Sequence, residues 1–224
     1  MALHRNDCTT ARALSAESLA IWWELGDKAG IATSLHNLGW VAYYQGEYAA
    51  TYALCQESLG LRQALGDKQG ITFELGSMGR TVHRQGDYRQ ATALLEETLD
   101  LCQNMGAKQL FAWASTLLAD VAHDQGNDEC ATALLEESLT LFRDIGHQYG
   151  PALTLSVLGT VAHAQGNDER ATALYEESLG LWTAIGFKWG IMSTVRTSLG
   201  EATLAAAWVT GKAMPLEHVI THSS

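Results

Sequence analysis

The sequence predicts an all-α fold, a right-handed superhelical solenoid of helix-turn-helix hairpins in about five units of 40 residues. Three repeating features carry this expectation. Gln-Gly recurs at Gln45-Gly46, Gln85-Gly86, Gln125-Gly126 and Gln165-Gly166. The string ESLAI at 17–21 returns at the same interval as ESLGL, ETLDL, ESLTL and ESLGL. LGDKAGI at 25–31 returns as LGDKQGI at 65–71 and then weakens to MGAKQLF, IGHQYGP and IGFKWGI.

Each unit divides into a leading and a trailing helix. Leading helices are expected at 29–44, 69–84, 109–124, 149–164 and 189–206, trailing ones at 8–25, 48–65, 88–105, 128–145 and 168–185. Apolar residues recur at helical spacing in both kinds, as in Leu35, Leu38 and Ala42, or Ala131, Leu134, Leu135, Leu139 and Phe142. Glycine follows each helix, where a left-handed residue closes the last turn. Asp87, Asn127 and Asn167 stand as N-caps, and Pro151 falls in a first turn, where proline is tolerated. The domain reading is a repeat region over 1–206: a half unit at 7–26, units at 27–66, 67–106, 107–146 and 147–186, and a partial unit at 187–206. A tail follows at 207–224, with room for a short helix.

Composition narrows the function classes. The chain is 47% hydrophobic and 17% charged, which argues against disorder. A net charge of -11 disfavours nucleic-acid binding by this chain alone, because phosphate contacts need clustered Lys and Arg. No apolar run reaches the roughly 18 to 20 residues that span a bilayer, and residues 1–7 have no secretory apolar core. The expected location is the cytoplasm, with Cys8, Cys55, Cys102 and Cys130 as free thiols.

No catalytic constellation, cofactor motif or metal-ligand pattern is found, so no enzyme activity is expected. Glu96-Glu97, Glu136-Glu137 and Glu176-Glu177 are adjacent, hence about 100° apart on a helix, and read as a solvated face. The stretch from Asp124 to Glu129 lacks the ligand spacing of a calcium loop. Gly211-Lys212 lacks the flanking residues of a phosphate loop. His83, His123 and His163 share one repeat position. Neighbouring like helices are roughly 10 Å apart, too far for three imidazoles to share a metal easily, so duplication is the plainer reading. Trp22, Phe142 and Trp182 share another position, as packing residues; Trp22 and Trp23, with no unit before them, are candidates for self-association as a homodimer through the N-terminal edge.

Leu38-Gly39, Ala42, Gly46 and Tyr48 resemble the tetratricopeptide repeat pattern, as do Gly79, Gly86, Tyr88 and Ala91, and Leu158, Gly159, Gly166 and Ala171. The usual period in that family is about 34 residues. The interval here is similar to a longer variant common in bacterial signalling proteins. Ala207-Trp208 and the run from Gly211 to Glu217 look like the segment closing the repeat region of large LuxR-type regulators. That resemblance, with a start in mid-unit, implies a fragment of a longer protein in which a DNA-binding helix-turn-helix lies outside this sequence.

The tetratricopeptide resemblance implies a protein- or peptide-binding scaffold whose leading helices line a concave groove. Its contact positions map onto Thr33, His36, Trp40, Tyr43 and Tyr44, then Phe73, Arg80, His83 and Arg84. They continue at Trp113, Thr116, Asp120, His123 and Asp124, and at Ser156, Thr160 and His163. Trp40, Tyr43, Tyr44, Phe73, Arg80 and Arg84 are expected to form the core of the binding surface, at positions not needed to hold the hairpins together. The family's carboxylate clamp uses Lys and Asn; Arg80 and Arg84 have no matching Asn. The alternative function is an effector-sensing repeat domain of a LuxR-type regulator or signalling ATPase.

Overall fold

The computed structural model describes residues 2–186 and Thr194, and all regular structure among them is helical. Two compact units divide the chain, Met1–Leu110 and Phe111–Ser224. The first holds α1 (Ala2–Leu25), α2 (Lys28–Tyr44), α3 (Tyr48–Leu65), α4 (Lys68–Arg84) and α5 (Tyr88–Met105). The second holds most of α6 (Lys108–Asp124), then α7 (Asp128–Asp144), α8 (Gly150–Ala164) and α9 (Asp168–Ile185).

Local chemistry starts and stops these helices. Asp87, Asn127 and Asn167 accept from the backbone N–H groups of Gln90, Cys130 and Arg170, satisfying donors that a helix start leaves orphaned. Asp27 and Asp67, in the repeated Gly-Asp-Lys linker, do the same for Gly30 and Gly70. The glycines closing the described helices, from Gly26 to Gly186 at every half-repeat, all have positive φ, as the spacing predicts. α1 begins at Ala2, earlier than the expected residue 8. Asn6 stands where later repeats place the turn glycine, so nothing forces a left-handed break there. The expected helix at 189–206 lies outside the described residues except for Thr194, which is helical and buried.

Two close approaches hold the hairpins. Within a hairpin, the glycine that the leading helix carries at one repeat position lets the trailing helix come close. A Cβ on Gly79 would lie 2.9 Å from Leu95 Cγ, and one on Gly159 would lie 2.7 Å from Tyr175 Cε1. Between consecutive hairpins, a large side chain near the end of a trailing helix covers a glycine in the next leading helix. Trp22 lies on Gly30, Arg62 on Gly70 and Phe142 on Gly150. Trp22 is therefore half-buried beneath the hairpin that follows it, which corrects its expected place on an uncovered edge; Trp23 alone of the pair is exposed. In the second unit Ala119, Leu135, Leu158 and Val161 close a core with Leu134, Val157 and Leu174.

Candidate interaction surface

The polar and aromatic residues of α2 and α4 in the first unit form one connected cluster. Successive turns of α2 present His36, Trp40, Tyr43 and Tyr44, and α4 presents Phe73 and Arg80. The Arg80 guanidinium carbon lies 4.3 Å from the Trp40 ring centroid and 4.0 Å from that of Tyr43, a double cation–π contact. Tyr44 packs on both rings, at centroid distances of 5.5 Å from Trp40 and 5.7 Å from Tyr43, and remains 37% exposed. Partial burial raises the Tyr44 phenol above its usual value, against the opposing pull of Arg80. Arg80 Nε is buried and has no hydrogen-bond partner. Arg80 is thus a packing residue joining α2 to α4, contrary to the expectation that its position is free of such duty. Arg84 lies one turn on and is exposed.

Beneath the aromatic residues lies a buried carboxylate that the sequence reading did not single out. Glu74 has no exposed side-chain surface and takes hydrogen bonds from Ser58 Oγ at 2.7 Å and Arg62 Nε at 3.2 Å. His36 Nδ1 lies 3.1 Å from its Oε1, and the His36 ring packs edge-on against Phe73 at 4.8 Å. Arg62 also pairs with Asp67 at 2.7 Å. The Gly70 N–H and then Arg62 hold the Asp67 carboxyl below its usual range. The signal lay in two columns of the repeat: Arg62 replaces the aromatic of Trp22, Phe142 and Trp182, and Glu74 replaces Ser34, Ala114 and Thr154. Burial, with Glu74 close by, pushes the Cys55 thiol up to about 12, so this thiol has no reactive character.

The histidine column serves the hairpin turn. His123 Nδ1 lies 2.6 Å from Asp128 Oδ1, and His163 Nδ1 lies 2.7 Å from Asp168 Oδ1, each pair clasping the last turn of a leading helix to the first turn of the trailing one. His83 is buried and packs at a tilt against Tyr88 with ring centroids 5.8 Å apart, and Tyr43 meets Tyr48 edge-on at 5.6 Å, across the same five-residue step. Four hairpins thus make one contact with three chemistries. Among the described residues no group of three His, Cys, Asp or Glu could hold a metal ion.

In the second unit, α6 carries half-buried Trp113, Asp120 and His123 and exposed Asp124, while α8 carries exposed His163. Thr116 Oγ1 lies 3.0 Å from Thr154 Oγ1, the equivalent of the His36–Glu74 contact two repeats earlier. No described helix is long and apolar enough to cross a membrane.

Comparison with known proteins adds family and fold. Two family models, each described as Tetratricopeptide repeat, match residues 110–184 and residues 31–68 and 75–105, together more than half the chain. No curated protein sequence matches it. BtubC from P. vanneervenii is similar in structure at 16% identity and a TM-score of 0.65, over 96% of this chain and 91% of that one. The Rap conjugation gene regulator of plasmid pLS20, solved in complex with the Phr* peptide, is similar at 12% identity and a TM-score of 0.67. That likeness covers 90% of this chain and 62% of the regulator. A Signal Transduction ATPase with Numerous Domains from Pyrococcus horikoshii, with a tetratricopeptide repeat sensor, gives 11% identity and a TM-score of 0.58. There the likeness covers 85% of this chain and 32% of that protein. At such identities the likeness is one of fold.

Proposed function

The chain belongs to the tetratricopeptide repeat family, and from that premise we propose that it is a protein- or peptide-binding module whose contact surface is the α2–α4 face of the first unit. The observation that carries this reading is Arg80 held between Trp40 and Tyr43, beside partly exposed Tyr44. Aromatic rings give contact area at small entropic cost, and a guanidinium fixed by stacking keeps its planar donors oriented. The ligand that fits is an extended or helical peptide with a carboxylate flanked by apolar side chains. Trp113, Asp120 and Asp124 of the second unit have a different, acidic character and extend recognition to a second segment of the partner.

Selection of random displayed peptides against the purified chain tests this, followed by titration of the winners into Trp40→Ala, Arg80→Ala and Arg84→Ala. Loss of charged hydrogen bonds and aromatic contact should cost about 1 to 3 kcal/mol of affinity. Undiminished binding to all three variants removes the site from this face.

A second reading makes the chain the effector-sensing portion of a larger LuxR-type regulator or signalling ATPase. Its support is the sequence of 207–217 and the repeat sensor named in the Pyrococcus horikoshii protein. The same reading frame, sequenced through the locus, would encode a nucleotidase domain or a helix-turn-helix; a frame with neither removes it.

A further inference from the structure

We propose that the linkers between hairpins in the first unit form a second docking edge, and that its occupant is an acidic amphipathic helix of a partner protein. Each linker has the same two features, an apolar residue that ends the trailing helix and a lysine that opens the next. Leu25 ends α1 and is 68% exposed, Leu65 ends α3 and is 46% exposed, and half-buried Met105 ends α5. Leu65 lies between α3 and α4 in the middle of the unit, so its exposure belongs to the repeat position. Lys28, Lys68 and Lys108 open α2, α4 and α6, and all three are exposed. Helix starts favour negative charge, so a lysine there works against the dipole. The linker acids are engaged elsewhere: Asp67 by Arg62 and the Gly70 N–H, Asp27 by the N–H groups of Ala29 and Gly30. Duplication alone does not account for the lysines. Exposed neighbours have diverged, as in Glu24, Ala64 and Asn104 or Ala29, Gln69 and Gln109, while the lysines have not. A cation kept where the fold gains nothing from it, beside an open apolar side chain, marks a binding surface.

Spacing and charge define the occupant. Like helices of successive hairpins are roughly 10 Å apart, and seven residues of α-helix rise about 10.5 Å. A helix of roughly 15 residues or more, apolar at every seventh position, therefore meets Leu25, Leu65 and Met105 in turn. Asp or Glu three or four residues beyond each apolar position shares that face of the helix and reaches the lysines. The chain carries a net charge of -11, so three exposed lysines interrupt a surface that otherwise repels acidic partners and steer one to this edge. Trp40 follows Lys28 by twelve residues, which separates this edge from the Trp40–Arg80 cluster by roughly 18 Å along α2. In the second unit the same linker position has exposed Ile145 but Gln148 in place of lysine, which confines the charged site to the first.

The probe is a synthetic helical peptide of about 18 residues, with Leu at every seventh position, Glu three residues after each, and Ala and Gln elsewhere. Labelled with fluorescein and titrated by anisotropy, it should bind the full chain saturably, and more weakly as salt is raised. Lys28→Glu, Lys68→Glu and Lys108→Glu together should reduce affinity by about tenfold or more. Helicity should be unchanged, since glutamate suits a helix start. The same triple variant should gain binding to a peptide with Lys in place of Glu, a reciprocal exchange that a merely structural lysine would not give. Leu25→Ser with Leu65→Ser should weaken binding of the original peptide without loss of helicity. A photo-reactive group beside the central Leu of the peptide should cross-link to the Leu65–Lys68 linker. Cross-links at Trp40 or Arg80 instead place the probe on the α2–α4 face, overturning this inference and leaving the earlier reading intact. A chain that sediments with phosphatidylserine vesicles but ignores the peptide also overturns it, as does a chain that binds neither, or charge reversal without effect.

Discussion

Arg62 Nε and Glu74 Oε1 lie 3.2 Å apart at a joint between hairpins where the first repeat has Trp22 and Ser34. One repeat has exchanged an aromatic–hydroxyl joint for an ion pair, and Arg62 still covers Gly70 as Trp22 covers Gly30. Charge buried this deeply stabilises little by existing, but removing one partner strands the other.

The first prediction follows. Arg62→Ala should destabilise the chain by about 3 kcal/mol, the low end for a broken buried pair because His36 and Ser58 still bond Glu74. The joint change Arg62→Trp with Glu74→Ser should recover most of that loss by restoring the chemistry of the α1–α2 joint. Urea unfolding of the variants provides the measurement; an Arg62→Ala loss below about 0.5 kcal/mol, the level of a surface pair, refutes the pair's role.

Arg80 and Arg84, one turn apart on α4, should separate in stability. Arg80 stacks on two rings and is half-buried, so Arg80→Ala should cost about 1 to 2 kcal/mol. Arg84 is exposed, and Arg84→Ala should change stability by less than about 0.5 kcal/mol. Equal midpoints for the two variants would show that the stack contributes nothing.

The 40-residue period, the closing glycines and most caps were legible in the sequence because each is local chemistry repeated. Positive φ needs glycine, and an orphan N–H needs a short polar side chain, wherever they occur. The Glu74 network was not legible because it depends on His36, Ser58 and Arg62 meeting across three helices; only the paired departure from two repeat columns marked it. The histidine column was seen, but its use was not. A shared position says that His123 and His163 do the same thing, and only the five-residue reach to Asp128 and Asp168 says what that is. Trp22 and Trp23 are adjacent in sequence yet lie on different faces of α1, so one is covered and the other exposed.

Three glycines at one repeat position should respond to alanine with different signs. A Cβ on Gly39 would meet Cys55 Sγ at 3.5 Å, an ordinary contact, so Gly39→Ala should gain up to about 1 kcal/mol from helix propensity. At Gly79 and Gly159 the added Cβ falls 2.9 Å from Leu95 and 2.7 Å from Tyr175, so overpacking should outweigh that gain by about 1 kcal/mol. Gly60 and Gly180 face open space in α3 and α9, and alanine there should stabilise as at Gly39. Thermal unfolding of the five variants gives the order; a uniform gain at all five sites would mean that the close approach of the hairpin helices is not a constraint.

His147 supplies the last prediction. It occupies the linker position of Asp27 and Asp67, and its Nδ1 accepts from the Gly150 N–H at 2.8 Å as Asp67 Oδ1 accepts from Gly70 at 2.9 Å. Accepting requires a free lone pair on Nδ1, so this contact belongs to the neutral ring. Burial pulls the imidazole below its ordinary 6.5 in the same direction. Between the depressed folded value and 6.5 the unfolded chain binds more protons than the folded one, so stability rises with pH across that window. The contribution is complete above about 6.5 and is lost as pH falls through the folded value. His147→Asp installs the cap used at Asp67, whose carboxylate stays ionised through the same window. Urea midpoints at pH 7.5 and pH 5 should therefore fall more steeply for the wild-type chain than for His147→Asp, the other histidines contributing equally to both. Parallel curves would show that the neutral His147 cap is not what the start of α8 depends on.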